Sequence, residues 1–86
     1  MIACAAAVSL ACATARVEHL LRARLDAKHL SYTWVRCTRE ATAFRCNVNF
    51  GDPHIVQYCS VVRGGRIVTD HENPRIRCGR KPDPVR

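Results

Sequence analysis

The spacing of hydrophobic side chains changes once along the chain, near residue 31. Residues 16–30 carry apolar side chains at steps of three and four, the spacing that places them on one side of an α-helix. Glu18 near the start and Lys28 near the end suit the direction of the helix dipole. We therefore predict an amphipathic helix over 16–30, with an apolar stripe formed by Val17, Leu20, Leu21 and Leu25 and with Ala27 and Leu30 at its edge.

Beyond residue 31, apolar and polar side chains alternate, as they do in a strand with one buried face. Two turn signals divide this part: Gly51-Asp52-Pro53-His54, and the pair Gly64-Gly65, which suits a two-residue hairpin. The predicted fold class is α+β, with one N-terminal helix packed on an antiparallel sheet of about four strands. The strands are predicted at 32–37, 44–50, 55–63 and 66–70, and a loop at 71–77.

The start of the chain differs in kind from the rest, because no Lys, Arg, Asp or Glu precedes Arg16. An uncharged stretch ending in Ala-Thr-Ala is typical of a secretory signal peptide, and it is shorter than the about 20 apolar residues that span a bilayer. We predict a signal peptide at 1–15, a single domain at 16–80 and a flexible tail at 81–86. The mature protein is then secreted or extracytoplasmic and has no transmembrane segment. The alternatives are an attached alanine-rich helix and, because the residues up to Cys12 resemble the end of a lipobox, a lipoprotein anchored there.

Four of the six cysteines lie within the predicted domain: Cys37, Cys46, Cys59 and Cys78. An even number in a short exported chain indicates a disulfide framework, because so small a core is marginal without cross-links. Their spacing contains no C-x-x-C pair and disfavours a metal site. Symmetrical turns would place Cys46 opposite both Cys37 and Cys59, in one row on the core face. The preferred disulfides are Cys37–Cys46 and Cys59–Cys78. The alternative pairing, Cys46–Cys59 with Cys37–Cys78, is not excluded by the sequence.

The chain is basic, with 14 Lys and Arg against 7 Asp and Glu and a formal net charge of +7. This charge suits an anionic partner such as nucleic acid, an anionic glycan, a teichoic-type polymer or a lipid headgroup. The alternative is that the arginines reflect a GC-rich genome and serve solubility, since they are spread along the chain.

The alternation of apolar and polar residues along the strands predicts which side chains lie on the sheet face opposite the helix. Arginine beside Trp and Tyr on this surface suits an anionic or sugar ligand, and also a protein partner. The candidate binding face is Trp34, Arg36, Arg45 and Tyr58. The alternative is that these side chains only cover a thin sheet. The full set predicted on this surface is Tyr32, Trp34, Arg36, Arg45, Asn47, Asn49, Val56, Tyr58, Ser60 and Val62.

No catalytic motif is visible in the sequence, and we predict no catalytic residues, no metal and no cofactor. His54 and His71 are expected at opposite ends of the third strand, too far apart to act on one phosphate. The leading hypothesis is a non-enzymatic binding module that contacts an anionic envelope polymer or a protein. The alternatives are a membrane-active cationic defence protein, based on residues 16–30, and a small secreted hydrolase or nuclease.

Two resemblances bear on these hypotheses. The run from Val35-Arg36-Cys37 through Phe44–His54 to Tyr58-Cys59 resembles uncharacterised small secreted proteins of high-GC Gram-positive bacteria. That resemblance implies export and disulfides and brings no activity. The order of one helix and four strands is similar to the cystatin and cathelicidin architecture. The cystatin Gln-x-Val-x-Gly hairpin is absent, because the first hairpin reads Arg39-Glu40-Ala41-Thr42-Ala43, so protease inhibition is not implied.

Overall fold

A computed structural model describes residues 10–40 and 42–78 of the chain. It confirms the α+β fold: one helix packs against a four-stranded antiparallel sheet with the strand order β1-β2-β3-β4. Residues 1–9 of the predicted signal peptide and the predicted tail at 81–86 lie outside the described residues. The elements are α1 (Leu10–Ala27), β1 (Trp34–Glu40), β2 (Ala43–Asn49), β3 (Ile55–Arg63) and β4 (Arg66–Thr69).

Helix α1 starts earlier and ends earlier than the apolar spacing predicts. Its described part already includes Leu10 and continues through the predicted cleavage position after Ala15, because the alanines there favour helix. The boundary between signal peptide and domain stays a prediction. At the other end, the N–H of Leu30 donates to the carbonyl of Leu25 at 3.0 Å, and His29 adopts a left-handed φ of 59°. This Schellman motif ends the helix before Leu30, which is exposed.

The main core lies between α1 and one face of the sheet. Val17, Leu21 and Leu25 repeat at four-residue steps on α1, and all three are buried. They contact the inward side chains of β1 and β2, which include Val35 and Val48. The predicted apolar stripe is therefore the surface by which the helix covers the sheet.

The first hairpin has the predicted register. Cys37 pairs with Cys46, and their Cα atoms lie 4.0 Å apart, within reach of the disulfide that joins them. The N–H of Cys37 points away from β2, as it does in a pair without ladder hydrogen bonds between its two residues.

The second hairpin departs from the predicted register by one residue. Cys46 pairs with Tyr58 and not with Cys59, so the prediction of three cysteines in one row is wrong. The last paired residues are Asn49 and Ile55, which leaves an odd-numbered connection of 50–54 between them. Asn49 stabilises this connection. Its Oδ1 accepts from the Gly51 N–H and its Nδ2 donates to the Asp52 carboxylate, each at 2.7 Å. A shift of one residue moves the side chains of β3 to the opposite face.

A second, smaller core lies on the other face of the sheet. Cys59 is joined there to Cys78, with their Cα atoms 5.3 Å apart, and the buried Ile76 packs beside them. Val61 and Val68 complete this cluster from β3 and β4. Both preferred disulfides are thus confirmed. The rival Cys46–Cys59 pair is excluded because the two cysteines lie on opposite faces.

Candidate functional site

The candidate site is the open face, by which we mean the sheet face turned away from α1. Its part over β3 and β4 is covered by residues 74–78, which the Cys59–Cys78 disulfide attaches to β3. Its part over β1 and β2 carries Trp34, Arg36, Thr38 and Asn47. Because the pairs Trp34–Asn49 and Arg36–Asn47 are in register, these side chains form regular rows across the two strands.

Trp34 and Arg36 form an aromatic–cation pair on the open face. The guanidinium carbon of Arg36 lies 4.8 Å from the centre of the Trp34 ring, in the range of a cation–π contact. Arg36 is exposed, and no carboxylate among residues 10–40 and 42–78 lies within ion-pair distance of it. Its charge and its N–H donors therefore face solvent.

Arg45 lies on the same face, but its side chain is largely buried and has hydrogen-bond partners. Its Nε is 3.3 Å from the Glu40 carboxylate, and its Nη1 donates to the Gln57 side chain at 2.9 Å. Its side chain is only 12 % exposed, and Nη2 is buried without a partner in the part of the chain that the structure describes. Arg45 therefore links β1, β2 and β3, and Glu40 balances its charge.

Tyr58 does not belong to this face, contrary to the prediction. The one-residue shift of the second hairpin turns it toward α1, where its ring stacks on His71 with 4.0 Å between centroids. Burial raises the pKa of Tyr58, and the nearby Asp70 carboxylate adds to the effect. The same shift turns three other predicted members of the face toward α1, namely Val56, Ser60 and Val62.

Two further predicted members of the face are also placed differently. Tyr32 packs against the main core, beyond the start of β1. Its pKa is raised by burial and by Asp26. Asn49 points to the open face but is buried in the turn that it stabilises. Trp34, Arg36, Arg45 and Asn47 are the members that remain on the open face and outside that turn.

Four arginines that the sequence reasoning did not single out extend the positive surface. Arg63 and Arg66 pair across the Gly64-Gly65 turn, and their strand positions share a face with Val61 and Val68. Arg75 and Arg77 are exposed on either side of Ile76, in the segment that covers β3 and β4. The sequence feature that could have indicated part of this surface is the position of Arg63 and Arg66 on either side of the Gly64-Gly65 turn.

Three acidic groups beside this surface have hydrogen-bond partners among the described residues, and the first, Asp52, accepts from Asn49 Nδ2. Glu40 accepts from Arg45, and Asp70 accepts from the Cys59 N–H at 3.0 Å. The open face therefore combines exposed arginines with few free carboxylates among the described residues, and its electrostatic field favours anions.

The α1 side of the sheet has a small cleft of about 80 Å³ at the end of the helix. Tyr58 and His71 line it, beside an ion pair between Arg24 and Glu72. His71 Nε2 lies 3.1 Å from the Gln57 carbonyl. The predicted placement of His71 at the far end of β3 is wrong, because β4 runs back along β3 and brings His71 level with Tyr58.

The cleft still does not unite two histidines. His54 precedes β3, four residues before Tyr58, which corresponds to about 13 Å of strand. His19 and His29 are exposed on or just after α1. Within 10–40 and 42–78, no three His, Cys, Asp or Glu side chains are grouped as metal ligands.

No protein-family model, no curated protein and no solved structure matches the chain. Among the residues that the structure describes, no helix is both long and apolar enough to cross a bilayer.

Proposed function

We propose that the protein is a non-enzymatic binding module that holds an anionic polymer on its open face, outside the cytoplasm. The observation that carries the proposal is the exposed Arg36 stacked on Trp34, on a sheet face where Glu40 pairs with Arg45 and Asp70 accepts from the Cys59 N–H. Guanidinium groups bind phosphate and carboxylate with two parallel hydrogen bonds. The Cys37–Cys46 and Cys59–Cys78 disulfides fit an oxidising compartment.

The arrangement of the cations supports a long ligand more than a small one. Arg36 projects from β1, whereas Arg63 and Arg66 lie at the end of the β3–β4 hairpin and Arg75 and Arg77 on the covering segment. A linear polymer can contact several such separated charges at once, and its affinity is then the sum of many weak contacts.

The membrane-active alternative has less support. An amphipathic helix acts on a bilayer through its apolar face. The three largest buried side chains of α1 already pack against the sheet: Val17, Leu21 and Leu25 are each at most 2 % exposed. Membrane insertion would therefore require α1 to leave the sheet and expose the main core.

The binding of fluorescently labelled polyphosphate to the folded chain tests the proposal. We expect the affinity to fall steeply between 50 mM and 200 mM salt, because each arginine contact releases a counterion. The triple substitution R36A/R63A/R66A should weaken binding at least about tenfold, corresponding to roughly 1.4 kcal/mol.

The matched control is R16A/K28A, which removes exposed cations from the α1 side without touching the open face. This variant should bind within about twofold of the wild type if the location of the charge matters. An equal loss per removed charge in both variants would reduce binding to net charge and contradict the proposed site. Salt-independent binding would also contradict it.

A further inference from the structure

Side chains of α1 bond to the outward backbone groups of both edge strands. Glu18 Oε2 accepts from the Cys37 N–H at 2.8 Å, and Arg22 Nη2 donates to the Val35 carbonyl at 3.1 Å, both on β1. On the opposite edge, Arg24 Nη1 donates to the Ile67 carbonyl of β4 at 2.8 Å. The helix thus places a donor or an acceptor where a fifth strand would place its own.

The two contacts on β1 lie at the middle of its outer edge. An edge strand with free N–H and C=O groups is a template for pairing with another chain. β1 has seven residues, and every second residue turns its backbone groups outward. Glu18 and Arg22 occupy groups of two consecutive outward residues, Val35 and Cys37.

We propose that the outer edge of β1 is a strand-pairing surface for a second copy of this chain, and that Glu18 and Arg22 close it in the monomer. Two copies of β1 can pair antiparallel about a two-fold axis at Cys37. Cys37 then faces Cys37 of the other copy, and Val35 faces Arg39, so outward residues meet outward residues. The product is one continuous sheet of eight strands.

The sequence of β1 is compatible with this self-pairing. In the same register Trp34 faces Glu40 of the other copy, and Arg36 faces Thr38. No two like charges lie directly opposite each other, which is the arrangement that most destabilises a cross-strand pair. In a solution of the pure protein, every other copy presents the same β1 edge at the same concentration.

The α1 contacts compete with this pairing. Glu18 and Arg22 are on consecutive turns of the helix, with their charged atoms 4.0 Å apart, so each holds the other near the edge. A second copy must replace both contacts before it can form the central hydrogen bonds. The pair therefore acts as a block on association, and its removal should expose the edge.

The test is the mass of the folded protein as a function of concentration, measured by sedimentation. We expect the wild type to be monomeric and E18A/R22A to approach twice the monomer mass between about 10 μM and about 1 mM. The conservative variant E18Q/R22K keeps one acceptor and one donor and should stay monomeric. Hydrogen exchange at the Cys37 amide should be slow in the E18A/R22A dimer and fast in its dilute monomer.

Several results would overturn the proposal. They are a wild type that already dimerises, an E18A/R22A variant that stays monomeric at every concentration, and a dimer in which the Cys37 amide exchanges fast. If E18A/R22A does not fold, the single variant R22A replaces it, because the Arg22 side chain is 44 % exposed and its loss is tolerable. The mass of R22A must then rise with concentration above that of the wild type, and an unchanged mass refutes the block.

Discussion

The two faces of the sheet are stabilised in different ways. On the α1 side, buried apolar side chains from the helix and from β1, β2 and β4 pack into one cluster, and half-buried side chains of β3 pack against it. On the open face, the only large buried side chain in the described part of the covering segment, Ile76, packs beside a disulfide. The α1 side can therefore be held by hydrophobic burial, whereas the covering segment depends on its covalent attachment at Cys59.

This difference follows from the number of elements. The described chain has one helix for a sheet with two faces. Residues 74–78 cover β3 and β4 on the second face, while Arg36 and Thr38 of β1 stay exposed there. The exposed half carries Trp34 and Arg36, so the part of the sheet that needs no cover is also the part available for binding.

The largest effect is expected from the α1 side. L21A should lower the free energy of unfolding by about 4 kcal/mol, because Leu21 is 1 % exposed and its loss leaves a cavity. Urea denaturation measures the change. L30A is the matched control, since Leu30 is 41 % exposed and its loss should cost less than about 0.5 kcal/mol. Similar losses in the two variants would show that burial by α1 does not dominate stability.

The next effect concerns the open face. C59A/C78A should lower the free energy of unfolding by about 3 kcal/mol, because the disulfide closes a loop with a sequence separation of 19. Amides in 70–78 should exchange hydrogen first, while those of β1 and β2 stay protected.

The matched control is C37A/C46A, whose loop has a sequence separation of only 9. It should cost slightly less, about 2.5 kcal/mol, and it should leave 70–78 protected. The comparison of the two faces fails if residues 70–78 stay protected in C59A/C78A, since the segment would then hold its place without the disulfide.

The sequence predicted the elements well and the face of β3 badly, and one turn explains why. Period-two alternation located β2 and β3 within a residue or two, and Gly64-Gly65 located the last hairpin. The connection 50–54 could be read with an even or an odd number of residues. The contacts of the Asn49 side chain with this connection and the hydrogen bond from the Phe50 N–H to the His54 carbonyl distinguish the two, and they depend on the folded geometry.

The wrong register of β3 determined which predicted members of the open face lie there. Trp34, Arg36 and Arg45 lie on β1 and β2, whose register depends on the first hairpin, and the structure brings them to one face. Tyr58 lies on β3 and moved to the other face with it. The preferred disulfides were correct although the row of three cysteines was wrong, because Cys59–Cys78 does not depend on that row.

A smaller effect is expected at the end of α1. His29 has a left-handed φ of 59°, which a residue with a Cβ adopts at a cost and glycine adopts freely. H29G should raise the free energy of unfolding by about 1 kcal/mol, measured by urea denaturation. S31G, at an exposed position just beyond the helix, is the control and should not stabilise the protein. A stability gain in H29G supports the assignment of α1 to the cooperative core, and an unchanged midpoint contradicts it.

The smallest effect distinguishes the two faces by pH. Burial, with the Asp70 charge in addition, raises the pKa of Tyr58 above its ordinary 10.0. Below that pH the phenol is neutral in both states and this contribution to stability is complete. As the pH rises past 10, the unfolded chain ionises first, so stability falls until the pH passes the raised pKa of the folded state.

Y58F cannot ionise, so its stability should decline less than that of the wild type between about pH 9 and about pH 11. Urea denaturation at each pH gives the two curves. The spectrophotometric titration of the folded wild type provides a second measurement, since a tyrosinate forms at a higher pH when the ring is buried. Parallel curves for the wild type and Y58F would mean that Tyr58 titrates as it does in the unfolded chain. That result would contradict the burial of the Tyr58 ring against the main core.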